Sequence, residues 1–269
     1  MPVISVARAA EAAAEQRAEQ RELLTKLLQP LAGVEFFVMP GESVLILSDV
    51  CLPAPPSQGV HFPPDLLAAL VELIYAAGAA RVGVALRPAA GFPLPRVLTD
   101  SGYAALAESG AELIDLSARG TVRRSCADAL SADHLDIAAP LALYDVLISA
   151  AKLRVSEGRL FGGAIVNCAA ACPAFAGCDD EHRQRMLVDI YGAVSPDLSI
   201  IDCRSVNIAF QPPRLDCLLA GHDAVAIDMT LATLCALPPA NIEYLQLAAQ
   251  YGLGSHVAGE IMLRGDKLI

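Results

Sequence analysis

The sequence predicts an α/β fold with a mostly parallel sheet and helices on both faces. Short apolar, β-branched runs, such as residues 44–50, alternate along the chain with longer segments of helical periodicity, such as residues 63–77. The short runs lack strict alternation of apolar and polar residues, which is typical of strands that are buried on both faces. Strands and helices that alternate at this spacing indicate crossover units, and therefore parallel pairing.

The composition supports a well-packed globular protein. Of the 269 residues, 55% are apolar and 18% are charged, which is enough apolar surface for a sizeable core. The formal net charge of −11 argues against nucleic acid or an anionic membrane surface as the main partner, because binding to phosphates requires basic patches. A local basic pocket for a small acidic molecule is compatible with this charge.

The chain carries no pattern typical of export or of a membrane span. No run reaches the roughly 20 uninterrupted apolar residues that cross a bilayer, and the N-terminus lacks a basic-then-apolar signal. We therefore expect a cytoplasmic protein. In that compartment its eight cysteines are expected to be thiols or metal ligands and not disulfides.

Glycine and proline mark the ends of the predicted elements in the first half of the chain. Residues 9–28 are rich in helix formers before Pro30, so residues 1–43 are expected to form an N-terminal helical segment. Residues 44–269 are expected to form the α/β domain, with a lobe boundary near residue 140 as the alternative. The elements predicted up to that point are strands 44–50, 81–86 and 112–116 and helices 63–77 and 94–109.

The same signals define the second half. Residues 145–150 predict another buried strand, and an alanine-rich helix follows over residues 164–172. The remaining predicted elements are helices 181–191, 224–237 and 239–251 and strands 198–203, 215–219 and 260–263.

Four motifs in this order carry a resemblance to a known family. They are PPDLLAALVELIYAAGAARVGVA, SGYAALAESGAELIDL, DVLISAAKLR, and PDLSIIDCRSV followed by LAGHDAVAIDMTLATLCALPPANIEYLQLAAQYGLG. In these motifs the chain resembles the bacterial and archaeal Domain of Unknown Function 362 family, from about residue 44 to the C-terminus. The resemblance implies an α/β fold with a pocket. It also implies an association with iron–sulfur modules, while the biochemical activity of the family is largely undefined.

The chain departs from the family pattern at several polar positions. Leu47-Ser48-Asp49 stands where the family has Lys-Pro-Asn, and Val155-Ser156 stands where a histidine is usual. Val166-Asn167 replaces a Lys-Asn pair, and the loop RSVNIAFQPP lacks the usual glycines. The chemistry of the family has therefore either changed or been lost in this chain.

Lys152 is the first predicted site residue. It follows a buried strand at the carboxyl edge of the sheet, where open α/β sheets bind their ligands. Its ammonium group is suited to a carboxylate or phosphate, or to nucleophilic chemistry if desolvated. The alternative is a solvated loop lysine. By the resemblance, Asn167 and Ser156 are expected to bind the ligand as well.

Gly162-Gly163 precedes the predicted alanine-rich helix. Free N–H groups at a helix start bind anions, so both glycines are predicted ligand-binding residues. The alternative is a tight turn or close packing, for which glycine is equally suited.

Three cysteines follow these glycines, and two others lie at strand ends. Cys168, Cys172 and Cys178 have a spacing that matches no standard zinc or ferredoxin pattern. Cys51 and Cys203 are expected at the same sheet edge as Lys152, so five thiols are candidates for holding an iron–sulfur cluster or a soft metal. The alternative is cysteine used as a small apolar residue.

Acid–base groups are the last candidates. Asp202 ends a strand at the predicted ligand edge, and His182 begins a helix. Asp228 lies on an apolar helix face, where a buried carboxylate needs either a structural donor or a ligand.

The function predicted from these residues is binding of a small anionic molecule at the carboxyl edge of the sheet. Lys152, His182 and Asp202 are its catalytic candidates. The cofactor is unknown, with redox chemistry and a redox partner protein implied if the thiols bind a cluster. The alternative is a non-catalytic binding or scaffold protein. Sequence motifs of hydrolases, nucleotide kinases and metalloproteases are absent.

Overall fold

The computed structural model describes residues 1–9, 17–126, 128–155, 162–204 and 215–268. Its centre is one eight-stranded sheet, and two further strands form a separate antiparallel pair. The strands are β1 Val3–Arg8, β2 Ser43–Ser48, β3 Arg81–Leu86, β4 Glu112–Asp115, β5 Thr121–Ser125, β6 His134–Ala138, β7 Val146–Lys152, β8 Leu198–Asp202, β9 Cys217–Gly221 and β10 Met262–Gly265.

The strand order in the sheet is β10-β1-β9-β8-β7-β2-β3-β4. The five strands from β8 to β4 pair in parallel, and β1 pairs in parallel with β10. Strand β9 is antiparallel to both of its neighbours, β1 and β8. The prediction of a mostly parallel sheet is therefore confirmed.

Helices cover both faces because side chains alternate along each strand. Val44 and Ile46 of β2 belong to the core under α1 and α2, whereas Leu45 and Leu47 belong to the core under α4 to α7. The helices are α1 Arg17–Leu28, α2 Pro64–Ala76, α3 Leu94–Asp100, α4 Ala164–Asn167, α5 Asp180–Val194, α6 Ala224–Leu234 and α7 Glu243–Gln250.

The N-terminal segment departs from the prediction because it contains strand β1, which we did not predict. β1 lies between β9 and β10 and so joins the two ends of the chain in one sheet. Helix α1 is described from Arg17, and residues 10–16 of the predicted helix lie outside the described residues. The strands of the large sheet come from both sides of residue 140.

Two predicted helices are shorter than expected. The helix predicted over residues 94–109 ends at Asp100, because Gly102 has a φ of 75°, and a 3₁₀ helix follows over Tyr103–Ser109. The helix predicted over residues 164–172 is α only over Ala164–Asn167 and then tightens into a 3₁₀ turn, Cys168–Ala171. The antiparallel pair of β5 and β6 lies in a stretch for which no element was predicted.

Candidate functional site

A cleft of about 310 Å³ opens at the carboxyl edge of the parallel strands. Strand β2 lies between β3 and β7, so the chain leaves β2 toward one side of the sheet and later returns on the other. Such a reversal is a topological switch point, where loops diverge and ligands of open α/β sheets bind. The position of the cleft follows from this topology.

Polar groups in the cleft come from the ends of three neighbouring strands. Asp49 and Cys51 follow β2, Arg87 follows β3, and Arg154 follows β7. The opposite wall is formed by residues 166–176, which include Asn167 and Cys172. Apart from Ser48, the other lining side chains among the described residues are apolar.

Two arginines supply the positive charge of the cleft. The Nη2 of Arg154 lies 3.6 Å from the Oδ2 of Asp49. The side chain of Arg154 is 39% exposed. The Nε of Arg87 donates to the Ala170 carbonyl at 2.6 Å and its Nη2 donates to the Leu116 carbonyl at 3.3 Å. Burial lowers the pKa of Arg87, but a guanidinium remains charged at neutral pH. The cleft therefore contains two cations that are held in place by other contacts.

The side chains of Asp49 and Asn167 are held in the cleft by hydrogen bonds to the strands and to the loop after β2. Asp49 accepts from the N–H of Phe62 at 2.9 Å through Oδ1 and from the N–H of Lys152 at 2.8 Å through Oδ2. Asn167 donates through Nδ2 to the Leu47 carbonyl and to the Ser149 hydroxyl, both at 2.9 Å. Since both hydrogens of this amide are used, Asn167 offers the cleft an acceptor and not a donor.

Lys152 lies at the predicted sheet edge but within a buried ion cluster. Its Nζ donates to Oδ2 of Asp202 at 3.0 Å and to the carbonyl of Arg204. The Nε of Arg204 donates to Oδ1 of Asp202 at 2.9 Å, and its Nη1 donates to Gln20 at 3.3 Å. The side chains of Lys152 and Asp202 are 3% and 1% exposed. Lys152 is therefore an internal counterion, and the expectation of an ammonium group free to bind a ligand is wrong.

The carboxylate of Asp202 is the shared partner of this cluster. Burial raises its pKa, but the charges of Lys152 and Arg204 and the hydrogen bonds from Arg204 outweigh burial, so the pKa of Asp202 is lowered. An ionised carboxylate with these partners binds protons weakly, so Asp202 is poorly suited to the predicted acid–base role.

The two glycines before α4 have structural partners. Gly162 pairs with Arg154, donating to its carbonyl at 2.7 Å and accepting from its N–H at 3.0 Å. A Cβ on Gly163 would lie 2.1 Å from Oδ1 of Asp228. The group that approaches Gly163 closely is thus the side chain of Asp228 and not a ligand. The β-bridge between Gly162 and Arg154 helps to position Arg154.

Asp228 occupies the place that an anion was expected to take at this helix start. Its carboxylate accepts from the N–H groups of Ala164 at 2.6 Å and Ile165 at 3.1 Å, and from the hydroxyl of Tyr244 at 3.3 Å. Burial raises the pKa of Asp228 to about 7, while these three donors oppose that rise. The N–H groups of Ala164 and Ile165 are therefore not free to bind an anion, and ligand binding at Gly162 and Gly163 stays a prediction.

The five candidate thiols do not form one group. Cys51 and Cys172 line the cleft, whereas Cys168 lies in the core and donates to the Ala164 carbonyl. Cys203 is fully buried and lies beside Cys217, and Cys178 is partly exposed. Burial raises the pKa of all five thiols, although Cys178 is little buried and Asp179 and Asp180 also raise its pKa.

These thiols do not fit a cluster ligand set. Within the part of the chain that the structure describes, no group of three or more His, Cys, Asp or Glu side chains is arranged to hold a metal ion. The expectation that all five thiols share one crevice is wrong, because only Cys51 and Cys172 line the cleft. Binding of an iron–sulfur cluster or soft metal stays a prediction.

His182, a predicted site residue, lies away from the described lining of the cleft. The ring of His182 is 55% exposed and its Nδ1 lies 2.8 Å from Oδ1 of Asp179, the N-cap of α5. Ser156 lies outside the described residues.

Sequence reasoning missed Arg87, Arg154 and Asp49 as a set. Each directly follows or nearly follows a strand of the parallel half: β3, β7 and β2 respectively. The carboxyl-edge rule, applied to the charged residues at or after the end of each predicted strand as well as to lysine and cysteine, identifies all three.

The fold and the cleft define an open α/β protein with a polar recess at its switch point. A family model described as "Domain of unknown function (DUF362)" matches residues 44–233, so the chain belongs to that family. A thylakoid-associated protein of Synechocystis sp. is 29% identical over 244 residues, which cover 86% of this chain and 74% of the relative.

Two solved structures show weaker likeness. The lactate racemase apoprotein of Thermoanaerobacterium thermosaccharolyticum has a TM-score of 0.46 at 14% identity, over 74% of this chain and 50% of that one. An alcohol dehydrogenase of Thermus sp. ATN1 has a TM-score of 0.28 at 13% identity, over 91% of this chain and 60% of that one. Neither score supports an argument about activity. Among the described residues no helix is long and apolar enough to cross a membrane.

Proposed function

We propose that this protein binds a small anionic molecule in the switch-point cleft, through the guanidinium groups of Arg87 and Arg154. The observation that carries the proposal is the convergence of these two cations on one cleft in a chain whose net charge is −11. Guanidinium groups present a planar fork that matches carboxylate and phosphate oxygens. The cleft volume of about 310 Å³ suits a small molecule.

The contacts of each arginine support a ligand role. Arg87 bonds two backbone carbonyls, which fix its position but do not neutralise its charge. Arg154 has a carboxylate neighbour, Asp49, at 3.6 Å, and both oxygens of that carboxylate also accept from backbone N–H groups. An incoming anion therefore meets cations that are already placed, which lowers the entropic cost of binding.

Binding of an anion in this cleft needs no catalytic step. Asp49 is held by two N–H donors and serves as a counterion, so its geometry favours positioning over proton transfer. This arrangement fits a binding protein that kept the family fold. An iron–sulfur cluster, a redox partner protein and a cytoplasmic location remain predictions.

Replacing Arg154 with glutamine is expected to weaken anion binding about tenfold or more, because a hydrogen bond to a charged group contributes about 1.5–3 kcal/mol. Titration calorimetry with sulfate and with malonate measures the loss. Arg154→Lys, which keeps the charge but not the fork, is expected to bind with intermediate affinity.

Arg123→Gln is the matched control. Arg123 lies 3.6 Å from Asp136, the same separation as the Arg154–Asp49 pair, but it is 72% exposed and is not among the residues that line the cleft. Equal losses in Arg123→Gln and Arg154→Gln, or unchanged binding in Arg154→Gln, would place the anion elsewhere. No binding of either anion to the wild-type protein would contradict the proposal itself.

A further inference from the structure

The described lining of the switch-point cleft has an apolar side. Residues 166–176 form the wall opposite the strand ends, and most of the lining side chains of this wall are apolar: Val166, Ala169, Ala170, Phe175 and Ala176. Cys172 in the same wall acts as a small apolar group, because burial raises the pKa of its thiol and keeps it neutral. A ligand in the cleft therefore lies against an apolar surface on one side.

Phe175 is the largest side chain of this wall, and its ring is held in place by other contacts. The guanidinium carbon of Arg183 lies 5.5 Å from the ring centroid, and Nη2 of Arg183 donates to the Cys178 carbonyl at 2.6 Å. The ring packs against the core but is only partly buried. An apolar ligand group that covers such a ring removes apolar surface from water, which favours binding.

The other polar side chains of the lining already have partners within the protein. The Ser48 hydroxyl lies 3.2 Å from the hydroxyl of Tyr103, and both oxygens of Asp49 accept from backbone N–H groups. Both amide hydrogens of Asn167 are donated to groups of the strands. A hydroxyl group on a ligand that faces these side chains and the apolar wall loses its hydration without a matching partner, and this loss weakens binding.

The anion site and the apolar wall adjoin each other. The Nε of Arg87 donates at 2.6 Å to the carbonyl of Ala170, which is a residue of the wall. The remaining atoms of an anion bound by Arg87 and Arg154 therefore lie beside the wall. The cleft volume of about 310 Å³ is at the lower end of the range of about 300–1,000 Å³ for ligand clefts, so it favours a compact ligand.

We propose that the ligand of the cleft is a small anion with an apolar body, such as an alicyclic or aromatic carboxylate, and not a hydroxylated anion such as a sugar acid or a sugar phosphate. This inference rests on the proposed function and names the class of ligand that the cleft takes. Arg87 and Arg154 hold the charged head, and the apolar wall around Phe175 selects the body.

Cyclohexanecarboxylate and quinate test the body of the ligand at constant charge. Both carry one carboxylate on a cyclohexane ring, but the ring of quinate also carries hydroxyl groups. At pH 7.5, titration calorimetry is expected to show cyclohexanecarboxylate binding about tenfold or more tightly, because the hydroxyl groups of quinate lose hydration. The heat-capacity change of binding is expected to be more negative for cyclohexanecarboxylate, since it buries more apolar surface.

Cyclohexyl phosphate carries the same ring on a phosphate and is the second arm of the experiment. It is also expected to bind more tightly than quinate, because its body is equally apolar. The comparison of cyclohexyl phosphate with cyclohexanecarboxylate identifies which of the two head groups the arginines prefer.

Phe175→Ala tests the wall without changing either arginine. It is expected to weaken the binding of cyclohexanecarboxylate about fivefold or more, while malonate, which lacks an apolar body, keeps its affinity within about twofold. Val166→Thr adds a hydroxyl to the wall with little change of shape and is expected to narrow the preference over quinate. Phe36→Ala is the control, since Phe36 is 70% exposed and is not among the described lining residues.

The outcomes separate this inference from the proposal on which it rests. Equal or tighter binding of quinate, with both ligands lost in Arg154→Gln, overturns the apolar class and leaves anion binding in place. Binding of malonate without any of the three cyclohexane ligands does the same, as does unchanged affinity for cyclohexanecarboxylate in both Phe175→Ala and Val166→Thr. Failure of sulfate, malonate and cyclohexanecarboxylate to bind the wild-type protein overturns both.

Discussion

Replacing Asp202 with asparagine is expected to lower the free energy of unfolding by about 3–5 kcal/mol, because removing one partner of a buried ion cluster leaves uncompensated charge. Asp202 accepts from both Lys152 and Arg204, and it is fully buried. The variant keeps the shape of the side chain and loses its charge, so the effect is electrostatic. Urea unfolding of the two proteins measures the difference.

The relative loss of stability in variants of Lys152 and Asp202 tests the roles of these residues in the cluster more directly. Lys152→Met is expected to destabilise the protein less than Asp202→Asn, since the pair of Asp202 and Arg204 then remains balanced. Asp136→Asn, whose carboxylate is 57% exposed, is the control and should change stability by less than about 1 kcal/mol. A larger loss in Lys152→Met than in Asp202→Asn would contradict the assigned roles.

The sign of the pH dependence follows from the lowered pKa of Asp202. An unfolded aspartate titrates near its usual value of about 3.9, above the folded value, so the contribution of the cluster is present above that pH. It is lost as the pH falls through the folded pKa. Asp202→Asn should therefore be least different from wild type in acid.

Asp228→Asn is expected to remove a pH dependence of the opposite sign. Burial raises the pKa of Asp228 to about 7, so the folded protein holds a proton that the unfolded chain releases near pH 4. Wild-type stability should fall as the pH rises from about 4 to 7, by a few kcal/mol, and level off above that. Denaturant unfolding across this range should show the slope in the wild type and a weaker slope in the variant.

A glycine substitution tests the same contact without changing the carboxylate. In Gly163→Ala the new Cβ meets Asp228 at 2.1 Å and must displace it from Ala164 and Ile165, at a cost of about 1–3 kcal/mol. Gly177→Ala is the matched control, because a Cβ there meets nothing within 4 Å. Equal stabilities of these two variants would show that Asp228 does not pack against Gly163.

Local patterns were enough to predict most of the sheet. The buried strands β2, β3 and β7 are mostly apolar in sequence because both of their faces are covered. The local sequence pattern therefore favours the same strands that the packing of the fold requires. Strand β1 was missed because Val3–Arg8 gives a short and weak signal, and its place depends on β9 and β10 more than two hundred residues away.

The candidate site was predicted in position but not in its partners. Lys152 lies at the expected edge, yet its role depends on Asp202 and Arg204, which lie fifty or more residues along the chain. The Gly163 turn was identified, but the carboxylate that fills it comes from Asp228, on a helix far away in sequence. Pairings of this kind arise from packing and leave no local signature.

The most direct test of anion binding in the cleft is the position of a bound anion. Crystals of the protein soaked in selenate, a dianion that scatters anomalously, are predicted to show a selenium peak between the guanidinium groups of Arg87 and Arg154. The peak should be absent from crystals of Arg154→Gln treated in the same way. A selenate bound only at Lys152, at the Gly162-Gly163 turn or on the outer surface, with the cleft empty, would contradict this account.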